Sequence, residues 1–468
     1  MTGSRLTPRE LSLLHLMSLG LSNQGIAVQL NLSVKTVEGS SRSAFLKLGL
    51  VEENADENRR VLAIRRYQEL VAGNELPPIY LDEAGLFSAT LLDEIPRDYD
   101  ELVAMLETRA DASDQPWAMW ALASWSAVIA DDLPTAARCA ARASTRAAQH
   151  GKYPVLITAA MEHVIAVAGG AARIDHGLLD QLIAMIAPDA PSVAGSLVDT
   201  MDSIVEFAHW MVFCDRNNDA RRFIARARRP IGDRLEATRE FTANGAEAEI
   251  CLRTGEWRRV LELVDPVIAA SEYGAAYFRA LAARASTMAG DFERASMEIR
   301  VGKAAATVRN DRTSLRRLQA AEGVLHLRTD APADAAALLR RLRDSLDPRA
   351  AVLPALNPWH AELVEALVRC GEHAEAAAVT DDIGAIAAAT GSAWTEALHE
   401  RCLGLIATEP TAAIRHFEEA ATRFGALRGT YEQAVTMRLL AAAWEAAGEV
   451  STAQRVRSDT DELFARCG

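Results

Sequence analysis

Polar and charged residues between positions 35 and 47 carry the groups in this sequence that are best suited to chemistry. Lys35, Glu38, Gly39, Arg42 and Ser43 recur at three- and four-residue steps, so they would share one face of a helix. A guanidinium can donate two hydrogen bonds to guanine, a carboxylate can accept one from cytosine, and a glycine lets the backbone approach a groove. This face is therefore a candidate for contact with DNA.

Three short helices are predicted to position this face. Residues 7–10 (TPRE) form a capping box that opens the first helix. Ser22 starts the second, and Ser33 caps a third that runs to about Leu48 and is ended by Gly49. Two short helices joined by a tight turn, the second with a polar outer face, are typical of a helix-turn-helix.

The run from Leu6 to Leu50 resembles the LuxR-type (GerE-type) helix-turn-helix domain, because LTPRE, GLSNQGIA, LNLSVKTVEG and KLGL follow one another in that family's order. The resemblance implies a DNA-binding domain of four helices over residues 1–72, in which the fourth helix packs behind the third. Val61, Ile64 and Leu70 are the expected inward stripe of this fourth helix.

The resemblance also implies roles for individual residues. The positions of Glu38, Gly39 and Arg42 would approach base edges, and those of Lys35, Thr36 and Lys47 would approach phosphates. The predicted DNA-binding residues are Lys35, Thr36, Glu38, Gly39, Ser40, Arg42, Ser43 and Lys47. The chain departs from the family pattern at Ser40-Ser41, where the family usually has His-Arg, so a head that mediates association instead of DNA binding remains an alternative.

Charge is unevenly distributed along the chain. The whole sequence carries a net charge of -14, whereas residues 1–70 hold nine Lys and Arg against seven Asp and Glu. An acidic body repels DNA, so any contact with DNA is expected to be made by the basic N-terminal segment.

Residues 101–468 are predicted to form a helical-repeat arm, which a linker and docking helix at residues 73–100 join to the N-terminal domain. Short polar turns recur at intervals of about forty residues, with alanine-rich helices between them, which indicates an α-solenoid. The predicted turns are Asp131-Asp132, Gly169-Gly170, Asn217-Asn218, Gly255-Glu256, Gly290-Asp291, Asp330, Gly371-Glu372, Glu409-Pro410 and Gly448-Glu449.

The arm resembles tetratricopeptide repeats (TPR) in a degenerate, longer form, through MAGDFERASMEI, RCGEHAEAAAV and AAGEVSTAQRV. Its late part is also similar to the repeat arm of large LuxR-type ATPase regulators, although no GxxxxGK[ST] phosphate loop is present. A helix-turn-helix followed by a repeat body is similar in layout to RRNPP-type peptide receptors. The expected fold is therefore all-α, with a TPR-like α-solenoid after the helix-turn-helix.

Enzyme chemistry is not expected from this sequence. It contains no HExxH, no GxSxG and no aspartate-rich metal loop, so neither a cofactor nor a metal is predicted. The six cysteines include no CxxC pair and are expected to be buried free thiols in a reducing cytoplasm. No signal core or run of about 18 apolar residues is present, which predicts a cytoplasmic protein without a membrane span.

Two groups of residues in the arm could hold a ligand, although each also has a structural explanation. Trp117, Trp120 and Trp125 could line an aromatic pocket, but aromatics at helical spacing usually belong to a core. The basic cluster of the arm could bind a peptide carboxylate or be a solvated helix face. It comprises Arg221, Arg222, Arg226, Arg228 and Arg229.

We therefore predict a bacterial, dimeric, sequence-specific transcription regulator. Its arm would control dimerisation or sense a peptide, a small ligand or a protein partner, and its partners would be double-stranded DNA and a second copy of the chain. The alternative is a protein-interaction scaffold whose head serves association. The sequence identifies neither the operator nor the residues that would bind a ligand.

Overall fold

The computed structural model describes residues 6, 8–18, 22–29, 33–50, 59–72, 98–112, 116–150, 152–185, 203–227, 236–270, 275–346, 352–356 and 358–467. Within these ranges the chain is built from α-helices, turns and one 3-10 turn, and contains no strand. The all-α class predicted from the sequence is confirmed. Of the predicted linker and docking helix at residues 73–100, residues 73–97 lie outside the described residues.

Four helices form an N-terminal unit that we call the head. They are α1 (Pro8–Ser18), α2 (Asn23–Gln29), α3 (Val34–Lys47) and α4 (Arg59–Ala72). The Ser22 and Ser33 hydroxyls accept hydrogen bonds from backbone N–H groups three residues later, at 3.1 and 3.0 Å, as predicted for N-caps. Gly49 closes α3 with a φ of +78°, a conformation that glycine adopts without steric cost.

The head has its own small core. Leu13, Met17, Ile26 and Val37 are buried together between α1, α2 and α3. Ala63 and Tyr67 of α4 are also buried, and Ile64 packs against the same core. The prediction for Val61 was wrong: its side chain is 58% exposed, because the inward face of α4 is one step away, at positions 63, 64 and 67.

The remaining described helices form the arm. It starts with α5 (Tyr99–Arg109), followed by the 3-10 turn Ala110–Ala112, and continues as nine pairs of helices in the described ranges. Pairs 1 to 5 are α6 (Pro116–Ile129) and α7 (Leu133–Ala147), α8 (Lys152–Ala168) and α9 (His176–Met185), α10 (Ser203–Phe213) and α11 (Asn217–Ala227), α12 (Glu236–Thr254) and α13 (Trp257–Ala270), and α14 (Ala275–Ala289) and α15 (Phe292–Arg309). Pairs 6 to 9 are α16 (Arg312–Arg328) and α17 (Pro332–Asp344), α18 (His360–Arg369) and α19 (His373–Thr390), α20 (Ala393–Ile406) and α21 (Pro410–Ala426), and α22 (Thr430–Ala446) and α23 (Val450–Ala465).

Eight of the nine predicted turns lie where the two helices of a pair meet, and the ninth lies just after that point, so the period found in the sequence corresponds to one helix pair. In eight pairs the turn contains a residue with positive φ, which ends the first helix and reverses the chain. The turn predicted at Asn217-Asn218 was wrong in position, because Asn217 already begins α11 and the left-handed residue of that turn is Asp215.

Each early pair of the arm contacts the pair five places later. In pairs 1 and 6, Arg316 forms a buried ion pair with Asp131, and the Thr313 hydroxyl donates to the Val128 carbonyl at 2.9 Å. In pairs 2 and 7, the backbone N–H of Ile174 donates to the Thr390 carbonyl at 2.8 Å.

Pairs 3 and 4 repeat this relationship with pairs 8 and 9. Asp215 accepts hydrogen bonds from Ser392 and the backbone N–H of Trp394, and the rings of Trp257 and Tyr431 lie edge to face at 5.0 Å. The arm is therefore a superhelix that closes on itself after five pairs, and its first helices face a narrow interior.

Candidate functional site

The outer face of α3 presents the predicted DNA-contacting groups to solvent. Lys35, Thr36, Glu38, Gly39 and Arg42 are all exposed. They are placed there because Val37 and Ala44, on the opposite side of the same helix, are completely buried in the head. The structure thus brings five of the eight predicted residues together on one accessible surface.

The other three predicted residues are partly covered. Ser40 is half-buried. The Glu10 carboxylate of α1 accepts a 2.6 Å hydrogen bond from the Ser43 hydroxyl and forms a 2.8 Å ion pair with Lys47. Ser43 and Lys47 therefore bind Glu10 in this conformation, and the capping role predicted for Glu10 with Thr7 lies partly outside the described residues.

Position 41, where the chain departs from the family pattern, faces the interior. Ser41 is buried, and its hydroxyl donates to the Val37 carbonyl at 2.7 Å. In this chain the outer face of α3 is consequently formed without a side chain from position 41.

The start of α3 adds a second feature suited to an anion. Ser33 satisfies one of the free backbone N–H groups of the first turn, and no acidic residue occupies that turn. The positive end of the helix dipole and the exposed Lys35 ammonium group therefore both place positive charge at the start of α3. Such an end attracts phosphate groups.

Two of the basic residues predicted as a possible peptide site lie on a solvated surface. Arg222 forms a 3.0 Å ion pair with Asp219, and Arg221 lies 3.6 Å from Glu256. The side chain of Arg226, and residues 228 and 229, lie outside the described residues. The described part of this cluster matches the solvated-face interpretation.

An aromatic cavity lies where the early and middle pairs meet. The cavity measures about 110 Å³ and is lined by Tyr99, Trp125, Phe213, Tyr277 and Arg317, with other residues. Trp117 and Trp120 are buried in the core, as the structural explanation held, whereas Trp125 lines the cavity. The indole Nε1 of Trp125 is buried without a hydrogen-bond partner among the described residues.

A chain of polar groups borders this cavity. His209 Nε2 lies 3.1 Å from the Tyr277 hydroxyl, which donates at 3.1 Å to Glu249, and Glu249 also forms a buried ion pair with Arg317. Burial opposes ionisation of Glu249, but Arg317 outweighs it and lowers the pKa of that carboxyl. These residues could not be found from the sequence, because they come from four separate helices, α10, α12, α14 and α16.

The first helices of pairs 4 to 9 line two adjoining cavities, which we together call the inner groove. It contains a partly buried ion pair between Arg284 and Glu362 at 3.0 Å and a buried one between Arg401 and Glu432. Burial raises the pKa of Glu362, an effect that Glu432 increases and Arg284 and Arg401 oppose. The groove is thus lined by densely charged side chains that pack against one another.

The family comparison bears directly on the head. Residues 4–54 match the family described as "Bacterial regulatory proteins, luxR family". The N-terminal segment is a LuxR-type helix-turn-helix. This match covers about a tenth of the chain, and the search of curated proteins found no match.

The comparison with solved structures bears on the fold. A Rap protein complexed with Competence and Sporulation Factor has 8% identity and a TM-score of 0.50, and the match covers 78% of this chain and 99% of that chain. The APC/C hetero-tetramer Cut9-Hcn1 has 12% identity and a TM-score of 0.41, covering 92% of this chain and 79% of that chain. The P58(IPK) TPR domain has 13% identity and a TM-score of 0.18, covering 77% and 99%. The arm after the LuxR-type head is a tetratricopeptide-like solenoid.

Two further findings concern the described residues alone. None of their helices is long and apolar enough to cross a membrane. Their His, Cys, Asp and Glu side chains form no group of three or more that could hold a metal ion.

Proposed function

We propose that this protein is a sequence-specific DNA-binding transcription regulator. The observation that carries the proposal is the exposed face of α3 in a LuxR-type head, where Lys35, Glu38, Gly39 and Arg42 lie side by side. Arg42 donates two hydrogen bonds to a guanine, Glu38 accepts a hydrogen bond from a base amino group, and Gly39 lets the helix backbone approach the groove. Lys35, Thr36 and the N-terminus of α3 contact phosphates.

Ser40, Ser43 and Lys47 complete the proposed site at its margin. Because Glu10 binds Ser43 and Lys47 in the free head, a phosphate has to compete with this carboxylate for the Lys47 ammonium group. A phosphate that displaces Glu10 gains a charge-assisted hydrogen bond at the cost of one inside the head. We therefore assign Lys47 a weaker phosphate contact than Lys35.

The proposed domain division is a DNA-binding domain at residues 1–72, a linker and docking helix at 73–100, and a sensor or interaction domain at 101–468. The first described arm helix begins at Tyr99, two residues before the last boundary. The regulator acts in the bacterial cytoplasm as a homodimer, since one helix-turn-helix alone rarely distinguishes a useful site and two heads read paired half-sites.

The arm is proposed to control the heads by binding a peptide, a small ligand or a protein partner. The inner groove and the aromatic cavity offer two places for such a molecule, and the Rap protein of similar fold is complexed with Competence and Sporulation Factor. A ligand that binds one arrangement of the helix pairs better than another shifts the population of arm states. This shift changes the spacing or the exposure of the two heads of a dimer.

Selection of genomic DNA fragments tests the proposal. The full-length protein and its Arg42→Ala variant are each used to enrich fragments, which are then sequenced. A palindromic motif that the wild type enriches and the variant does not is expected for a dimeric regulator. Equal enrichment by both proteins contradicts the role of Arg42.

A second function is favoured by the contacts of Glu10. Because this residue holds Ser43 and Lys47, the head has fewer cationic groups free to meet phosphate than its sequence suggests. In this alternative the arm is a scaffold for a partner protein, and the head mediates association. Absence of any enriched motif from the wild-type selection, together with a stable oligomer, supports the scaffold.

A further inference from the structure

A polar cavity of about 280 Å³ lies at the C-terminal end of the inner groove, between the first helices of pairs 5 to 9. Five guanidinium groups and four carboxylates line it, which leaves an excess of one positive charge. The arginines are Arg284, Arg328, Arg369, Arg401 and Arg438, and the acids are Asp330, Glu362, Glu365 and Glu432.

Three of the arginines form ion pairs with all four carboxylates. Arg284 pairs with Glu362 at 3.0 Å and lies 3.8 Å from Glu432, and Glu432 pairs with Arg401. Arg369 pairs with Asp330 at 2.5 Å and with Glu365 at 3.8 Å. Each acid of the cavity is therefore within ion-pair distance of Arg284, Arg369 or Arg401.

Arg328 and Arg438 have no carboxylate within ion-pair distance among the residues that the structure describes. Arg328 donates a hydrogen bond to the Tyr431 hydroxyl and lies over the ring of that residue. Arg438, at the exposed mouth of the cavity, lies 5.9 Å over the ring of Phe464. Burial lowers the pKa of Arg328, and the positive charges of Arg438 and Arg401 lower it further, while Glu365 and Glu432 oppose the shift. Arg328 is half-buried, and a cation that is partly removed from water without an anionic partner is unfavourable, so binding of an anion here would be stabilising.

The cavity also has an apolar wall. Val324, Leu327 and Val435 are buried beside the guanidinium groups, and Met288 is half-buried. A ligand that fits both parts carries an anionic group next to an aliphatic one. The end of a peptide with a branched aliphatic last residue has this chemistry.

We propose that Arg328 and Arg438 form a binding site for the carboxylate of the arm's ligand, with the aliphatic neighbour of that carboxylate against Leu327 and Val435. The fork of a guanidinium group matches the two oxygens of a carboxylate. A single negative charge balances the excess of one positive charge, whereas dianionic phosphate would meet repulsion from Glu362, Glu365 and Glu432. The site deepens the sensing role proposed for the arm.

Binding of N-acetyl-leucine to the full-length protein, measured by calorimetric titration, tests this site. N-acetyl-leucine mimics a peptide end, N-acetyl-leucinamide has the same shape without the charge, and inorganic phosphate is the competing anion. Arg438→Met removes a guanidinium group from the exposed mouth, where the substitution is compatible with folding. Arg328→Met removes the half-buried one, and Arg455→Met, at an exposed position on α23, is the matched control.

The expected dissociation constant for N-acetyl-leucine is roughly millimolar, because the probe has only about a dozen heavy atoms. The amide is expected to bind at least tenfold more weakly, and the Arg438→Met and Arg328→Met variants to lose at least tenfold in affinity while Arg455→Met keeps it. Three results overturn the proposal: no binding up to about 20 mM probe, equal binding of acid and amide, or equal loss in Arg438→Met and Arg455→Met. Tighter binding of phosphate than of N-acetyl-leucine overturns the choice of carboxylate. The assay contains no DNA, so its failure is distinct from failure of the DNA-binding proposal.

Discussion

Asp215 accepts a 2.9 Å hydrogen bond from the hydroxyl of Ser392, which lies 177 residues further along the chain. The same carboxylate accepts from the backbone N–H of Trp394 at 3.1 Å and forms a buried ion pair with Arg253 at 3.3 Å. One side chain in the turn of pair 3 thus holds the start of pair 8, and it is a central element in the closure of the superhelix.

Replacing this residue is expected to weaken the arm strongly. Asp215→Asn keeps a residue type that tolerates positive φ but leaves Arg253 buried without its charge partner. The expected loss in the free energy of unfolding is about 3 kcal/mol, measured by urea denaturation of the full chain.

Asp330→Asn is the matched control for this substitution. Asp330 also has positive φ in the turn of a pair, but its side chain is 91% exposed where it meets Arg369. Its loss should cost under about 1 kcal/mol. Equal effects of the two substitutions would mean that the buried network of Asp215 does not hold the arm closed.

Gly39 separates a role in DNA binding from a role in the stability of the head. A Cβ atom added at this position meets no atom within 4 Å, so Gly39→Ala fits the free head. The substitution should stabilise α3 by about 1 kcal/mol through helix propensity, seen as slower hydrogen exchange of residues 34–47. The same methyl group obstructs close approach to a groove, so affinity for the enriched DNA should fall about tenfold. A head that is stabilised and keeps its affinity would exclude close contact at Gly39.

The thiols of the arm should differ in reactivity according to their burial. Burial raises the pKa of Cys139, Cys214, Cys251 and Cys402 to about 12, so these groups are protonated and shielded near neutral pH. Cys370 is exposed, contrary to the expectation that all six would be buried.

Maleimide labelling of the native chain at pH 8, followed by mass spectrometry, is therefore expected to modify Cys370 first. The half-buried Cys467 should react more slowly, and the four buried thiols only after unfolding. A Cys370→Ser variant serves as the control and should lose the fast phase. Rapid labelling of any of the four buried thiols would contradict the packing of the arm.

Glu362 should give the inner groove a recognisable pH dependence. Because burial raises its pKa in the folded chain above the unfolded value of about 4.3, the folded state binds more protons between these two pKa values. The stabilising effect of this proton is complete below the unfolded pKa and is lost as the pH rises through the folded pKa.

The comparison with Glu362→Gln isolates this effect. The variant does not titrate at this position, so the stability of the wild type relative to the variant should decrease from pH 4 towards neutral pH. Urea denaturation of both proteins at several pH values measures the difference. A difference that is constant, or that increases with pH, would show that Glu362 keeps an ordinary or lowered pKa in the fold.

Local signals explain which features could be predicted from the sequence. The caps at Ser22 and Ser33, the stop at Gly49 and the turns of the arm depend on residues within a few positions, and they were predicted at or next to their observed places. The exposed face of α3 followed from the same helical spacing.

Long-range contacts could not be predicted in this way. Nothing near Asp215 indicates its bond to Ser392, and nothing near Lys47 indicates its pairing with Glu10, 37 residues earlier. The same limit applies to Arg328 and Arg438, whose shared cavity exists only because five helix pairs curve around it. The closure of the arm and the composition of its interior therefore required the structure.

The most direct test of the account is the specificity of the head for its own DNA site. Fluorescence anisotropy measures the dissociation constants of the full-length protein for an enriched fragment and for a scrambled one, at one salt concentration. The proteins compared are the wild type, Arg42→Ala and, as a control on α4, Arg65→Ala. The account predicts that Arg42→Ala reduces the ratio of specific to scrambled affinity about ten- to hundredfold, whereas Arg65→Ala leaves this ratio unchanged. A ratio that survives Arg42→Ala, or a wild type that binds both fragments equally, would contradict the assignment of α3 as the helix that reads DNA.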